Sequence, residues 1–331
     1  MQSKSKNAAA ASGSALNNAA ILLTLTLVTM LYAMTVTIAN VSLPQIKGAL
    51  SATTDEIALI ITFNIIATAV ATPMTGWLST RFGRRNTLVW AVIGFTVSSF
   101  LCGTATSLEQ LVFYRFLQGA CGAPLPPLCQ AIVVDAYPKE KIGQANAIFG
   151  MGVVLGPILA PTLGGYLSET YSWRWVFYMM VPCGLASLIG VLIFIKSHVA
   201  DKRADLDWTG FISLAVAIAA FQFMLDRGER LDWLDNWQIV ACAIAAVTGL
   251  YIFITHSLTS DRPFLNPRLL LKRNYALGLL IAFIFGLLNF TPITLIPALL
   301  QTLRGYPDSI VGLILGIRGT GTLLGLSLIH I

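Results

Sequence analysis

The chain has 331 residues, 56% of them apolar and only 11% charged, with a formal net charge of +6. Soluble domains carry about 25% charged residues, so this chain has too few to cover a water-facing surface, and disordered, collagen-like and disulfide-built secreted proteins are excluded with them. Its apolar runs are long and continuous rather than short and alternating, which excludes a transmembrane barrel and leaves an all-α, polytopic transmembrane bundle whose spans each need about 20 apolar residues.

Taken in chain order, a polar, Ala/Ser-rich tail at 1–18 precedes ten predicted helices. They lie at 19–43, 56–79, 86–105, 108–136, 142–167, 174–196, 208–226, 236–257, 274–300 and 309–329. The first run is too long for the roughly 7–15 residue core of a signal peptide, so it stays as a span. Pro44 is expected to close the first helix, and Pro138 marks the loop after the fourth. The linkers at 197–207, 227–235 and 258–273 carry most of the remaining charge. Fourteen Lys and Arg fall in one set of alternate loops against five in the other, which puts the N-terminus in the cytoplasm by the positive-inside rule. The positive charge is thus a topology signal, and no nucleic-acid partner is expected. All five cysteines sit inside apolar runs and read as small core hydrophobes; Cys121 and Cys129, eight apart on one helix, lie about 12 Å from each other, too far to bridge.

Candidate chemistry is sparse. Between the second and third helices the chain reads Gly76-Trp-Leu-Ser-Thr-Arg81-Phe-Gly83-Arg84-Arg85, a glycine turn flanked by three arginines able to lock helix ends or meet anionic headgroups. Arg115 lies within the fourth span and Arg318 within the tenth, and a central arginine costs about 2.5–3.5 kcal/mol to insert, so such a residue is retained for a role. All acids lie in loops or at helix ends; Asp135 and Asp226 come nearest the membrane interior, so a proton-carrying carboxylate is one of these two or is absent from this stretch. The fifth helix carries Gly152, Gly156, Pro157, Gly164 and Gly165, which permit close backbone approach and a bend. The histidines, His198, His256 and His330, form no metal-ligand pattern, and neither a phosphate-binding loop nor a nucleophile elbow occurs, so no enzyme activity, metal or cofactor is expected.

The loop between helices two and three resembles the signature loop of the major facilitator superfamily. Further resemblances follow in order: Asn40-Val-Ser-Leu43-Pro44 at the end of the first helix, Arg115-Phe-Leu-Gln118-Gly119 with Gly122 in the fourth, the glycine-rich fifth helix, Trp173-Arg174-Trp175, and Leu225-Asp226-Arg-Gly228. Together they are similar to the fourteen-span drug/proton antiporter branch. The chain departs from it at Thr35 and Thr80, where the family usually has acids, and at Met180, where it has Asn. The resemblance implies a six-helix transporter bundle at 19–196, a linker with two extra helices at 197–257, and the incomplete start of a second bundle at 258–331. By helix count the chain is expected to be a fragment lacking about four helices of the two-bundle fold. The implied activity is secondary active export of drugs or other amphipathic toxic compounds across the cytoplasmic (inner) membrane in exchange for protons. Arg115, Asp226 and Asp135 are the candidate coupling charges; Thr35, Asn40, Asn64, Gln118, Gln130 and Asn289 are candidates for the substrate cavity. Implied partners are small amphipathic substrates, protons and the lipid bilayer, with a periplasmic adaptor and an outer-membrane channel if the host has two membranes. The alternative is a membrane protein on a transporter fold without coupled transport, acting as a scaffold or sensor.

Overall fold

The computed structural model describes residues 2–196, 205–307, 309–315, 317 and 321, with side chains from residue 17 onward except at 36, 289, 290, 293 and 294. Among the described residues there is no strand. The helices are α1 (Gln2–Ala49), α2 (Thr54–Ala71), α3 (Met74–Phe82), α4 (Arg84–Thr104), α5 (Leu108–Gly122), α6 (Leu125–Ala136), α7 (Ile142–Thr170), α8 (Trp175–Tyr178), α9 (Met180–Phe194), α10 (Trp208–Arg227), α11 (Trp237–Thr259) and α12 (Arg273–Arg304). A further stretch at 309–315 is α13. Counting α5 with α6 and α8 with α9 as single spans, eight helices among the described residues are long and apolar enough to cross a membrane. The 32-residue α12 is the ninth predicted helix and α13 opens the tenth. The rest of the tenth, with Arg318, lies outside the described residues, as does His198.

Several predicted boundaries move. The expected tail at 1–18 is helical from Gln2, and the span begins at Asn17; alanine-rich sequence such as 8–11 favours helix. Pro44 does not end α1, which continues to Ala49 with the proline inside it. The missing N–H is tolerable within a packed membrane helix, and the chain turns instead at Ser51, whose φ is +52°. The helix predicted at 56–79 is α2 followed by α3, interrupted at Thr72-Pro73. The one predicted at 108–136 breaks before Leu125, where Pro124 precedes α6. Helix starts follow from caps. Thr53 and Glu56 form a reciprocal capping box on α2, Ser107 accepts from the Gln110 N–H, and Asn236 accepts from the Gln238 N–H, each satisfying N–H groups that a helix leaves open.

α1 runs through the middle of the bundle, packed on α7, α9 and α6, while α2 packs on α5 and α10, and α4 on α5 and α9. Leu25, Val28 and Leu31 of α1, Phe95 of α4, Val133 of α6 and Met180 of α9 form the main apolar core. Lipid tails are as apolar as leucine, so close packing rather than water exclusion drives these contacts, and small residues mark them. A Cβ at Gly156 would lie 2.7 Å from the Met30 carbonyl oxygen and 3.2 Å from the Ala33 Cβ. One at Gly152 would overlap Thr26, and one at Gly164 would stand 3.2 Å from a terminal carbon of Ile38. The glycine face of α7 is therefore a seam laid along α1.

Candidate functional site

Arg115 is buried to 1% exposure where α5 meets α2, α4 and α8. Its Nη1 donates to Gln118 Oε1. Gln118 Nε2 then donates to Ser99 Oγ at 2.7 Å, and that hydroxyl donates to the Phe95 carbonyl at 2.7 Å. Asn64 Nδ2 donates at 2.8 Å to the Arg115 backbone carbonyl rather than meeting the guanidinium, and Arg115 Cζ lies 5.9 Å from the Phe177 ring centroid. The α2–α5 approach that permits this needs Gly119, where a Cβ would meet the Asn64 backbone. No carboxylate pairs with Arg115 among the described residues, and its Nε has no partner. Neutral groups orient the cation and leave its charge uncancelled. A charge in such surroundings acts over a longer range than in water and favours ionisation of any carboxylate brought near it.

Arg115, Gln118 and Asn64 thus form one buried network inside the bundle, not a row on an open cavity wall. Ser99 belongs to it and was not singled out by sequence, because a serine in an apolar run carries no motif. Thr35 is buried with its hydroxyl donating to the Leu31 carbonyl at 3.2 Å, and Asn40 is buried with its Oδ1 unpaired. Gln130 is exposed and donates to Asn146 Oδ1 at 3.0 Å, joining α6 to α7. Asn289 is on α12, its side chain outside the described residues.

The signature loop is the α3–α4 joint. Gly83 has φ +82°, a conformation open to glycine and strained for other residues. Arg84 pairs with Asp135 at the end of α6, and Arg85 Nη2 donates to the Leu192 carbonyl of α9 at 2.9 Å. The Gly76 carbonyl accepts from Ser79 and Thr80, so Thr80, in place of an acid, bonds back within its own helix. Arg81 forms no ion pair among the described residues. Neither candidate coupling acid pairs with Arg115. Asp135 serves the loop, and Asp226 accepts a hydrogen bond from Thr62 where α10 docks on α2. Nearby, Arg227 Nη2 donates to the Asp55 carbonyl at 2.9 Å and Arg230 pairs with the Asp55 carboxylate at 3.0 Å.

At its other end the α10–α11 hairpin is tied by Asp207. This carboxylate accepts from the N–H groups of Gly210 and Phe264, each at 3.0 Å, and lies 2.8 Å from His256 Nε2. Burial works against its charge, but these donors outweigh it and hold the carboxyl below the usual aspartate range.

The contacts of α12 and α13 with α1 and α7 gather at one end of the bundle. Gln301 Nε2 donates to the Val41 carbonyl at 3.1 Å, Thr162 Oγ1 to the Gly312 carbonyl at 3.1 Å, and the Ser309 N–H to Glu169 Oε2 at 3.3 Å. Val41, Val311 and Leu315 form an apolar cluster there. α13 comes so close to α7 that a Cβ at Gly312 would lie 2.7 Å from the Pro161 carbonyl carbon.

Residues 25–330 match the Major Facilitator Superfamily. The chain is 36% identical over 290 residues to the multidrug export protein EmrB of Escherichia coli (strain K12), an overlap covering 87% of this chain and 57% of that protein. It is 37% identical over 278 residues to the fatty acid resistance protein FarB of Neisseria gonorrhoeae, covering 84% and 55%. The chain therefore spans little more than half the length of these relatives. Its structure superposes on a D-xylose-proton symporter with a TM-score of 0.58 at 16% identity, covering 92% of this chain and 66% of that one, a likeness of fold alone.

Proposed function

The chain belongs to the Major Facilitator Superfamily, and from that premise we propose that it works in a secondary transporter that exports drugs or other amphipathic toxic compounds from the cytoplasm in exchange for protons. The observation that carries this reading is the seam of α7 glycines on α1 together with the contacts of α12 and α13 at one end of that seam. A closely packed α1–α7 pair moves as one body, and a second body that touches it at one end only can rock apart there and close at the other, as alternating access requires. The basic loops face the opposite end, so with the N-terminus in the cytoplasm the contacts at Val41, Thr162 and Glu169 form the outer gate.

In this reading 19–196 is the N-terminal bundle, 197–257 holds the extra pair of helices, and 258–331 begins the second bundle. Arg115 supplies a fixed positive potential that tunes proton or substrate binding. Asp135 and Asp226 are the carboxylates offered to the coupling proton; their partners, Arg84 and Thr62, would each feel a change of protonation. Gly83, Arg84 and Arg85, with Gly76 and Arg81, hold the cytoplasmic ends through the switch. Thr35, Asn40, Gln130 and Asn289 are the polar residues available to substrate on α1, α6 and α12, while Asn64 and Gln118 act through the Arg115 network. The membrane is the cytoplasmic (inner) one. In a host with two membranes a periplasmic adaptor and an outer-membrane channel would receive the substrate, as the family resemblance implies. One observation favours a second reading, a scaffold or sensor without coupling: Thr35 replaces an acid and is satisfied within its own helix. Dye efflux from cells expressing the protein, measured with and without a proton gradient, separates the two. Gradient-dependent efflux supports the first reading, and its absence across a substrate panel supports the second.

A further inference from the structure

The linker between α11 and α12 joins two features that the transport reading does not use. Phe264 fixes its start: its N–H donates to Asp207, and its ring meets Phe211 edge-on with centroids 5.4 Å apart. Asn266 then caps a short 3-10 turn, Pro267–Leu271, by accepting from the Arg268 N–H at 3.0 Å, and α12 follows at Arg273. The turn is thereby held where α10 begins, α11 ends and α12 begins, which is the boundary of the apolar layer. At that level Leu271 is 85% exposed and Leu270 56%, with Leu265 and Leu269 also uncovered. Arg262, Arg268, Lys272 and Arg273 are exposed in the same segment, and none of them forms an ion pair among the described residues.

We infer that residues 262–273 form an interfacial anchor whose leucines enter the acyl boundary while Arg262, Arg268, Lys272 and Arg273 bind anionic phospholipid headgroups. Exposed leucines beside unpaired cations suit the place where acyl chain gives way to phosphate, because apolar burial and charge attraction then act together. Either feature alone would have a plainer reading: basic loops arise from topology, and apolar side chains facing lipid arise from any span. Their convergence on a turn pinned by Asp207 and Asn266 points to a bilayer surface as the ligand. The inference rests on the placement of the spans and not on transport or sidedness, since anionic lipid in both leaflets of a test membrane meets the segment in either orientation.

Hydrogen exchange of the chain in nanodiscs of pure phosphatidylglycerol and of pure phosphatidylcholine tests it. Amides of 265–272 should exchange about tenfold more slowly in the anionic discs, and raised salt should erase much of the difference. Combined Arg268→Gln, Lys272→Gln and Arg273→Gln should abolish the difference while α10 and α11 keep their protection. Arg268→Gln alone, on an exposed turn, should give a partial loss and keeps the test readable if the triple variant does not assemble. Equal exchange in the two lipids, an undiminished difference in both variants, or equal protection from inorganic phosphate added to phosphatidylcholine discs would each overturn the inference.

Discussion

Arg115 illustrates how much a residue's surroundings decide. Its guanidinium is held through one nitrogen by Gln118, and Gln118 by Ser99, with the Phe177 ring 5.9 Å from its centre. Arg115→Ala should reduce gradient-driven export to background with normal membrane insertion. Arg115→Lys should restore only part of it, because the ammonium keeps the charge but is a compact, more strongly hydrated head in a fully buried site; export rates in membrane vesicles, normalised to protein level, check both. Asp207 gives a pH dependence whose sign follows from its lowered carboxyl pKa. A carboxyl pKa lowered by folding stabilises the folded state above the unfolded value, about 3.9, and that contribution disappears as pH falls through the folded value. The tie from α10 to the linker should therefore hold at neutral pH and loosen only below about pH 4. Asp207→Asn should loosen it at neutral pH, read as faster exchange of the amides at 260–265.

Among elements, the α1–α7 seam and the α3–α4 joint make the sharpest demands. Gly156→Val would drive a branched side chain against the Met30 carbonyl and Ala33. Overpacking of this kind costs about 1–3 kcal/mol, and a lower unfolding temperature in detergent should report it. Gly143 has nothing within 4 Å of a Cβ, so Gly143→Ala in the first turn of the same helix should be neutral or slightly stabilising. Gly83→Val forces a β-branched residue to a positive φ, a strain of about 1–3 kcal/mol, and should block transport by misplacing the loop that Arg84 and Arg85 tie to α6 and α9. The helices themselves were legible because apolar runs of this length have one solution in a membrane. Their ends were less so: Pro44 reads as a stop by local sterics, yet lies inside α1, while Pro73 and Pro124 interrupt helices that hydropathy alone reads as continuous.

For the whole molecule, the sequence revealed which residues matter more readily than how they combine. The motif around Arg115 was visible, but its partner Ser99 lies on another helix, and nothing in spacing along α5 announces a contact across the bundle. Asp135 and Asp226 were legible as the acids nearest the membrane, whereas their partners Arg84 and Thr62 emerged only once the helices were packed. Glu169, Gln301 and Gly312 escaped notice for the same reason, since the contacts of α7 with α13 and of α1 with α12 join residues remote in sequence. In the proposed cycle, rocking of α12 and α13 against α1 and α7 exchanges an amphipathic compound for protons. Its most direct test is proton movement in inverted membrane vesicles holding an imposed pH gradient, acid inside. Adding an exported compound should collapse part of the gradient in vesicles with the protein and not in vesicles bearing Arg115→Ala, whereas a gradient unmoved by any compound that the protein expels from cells would contradict proton exchange.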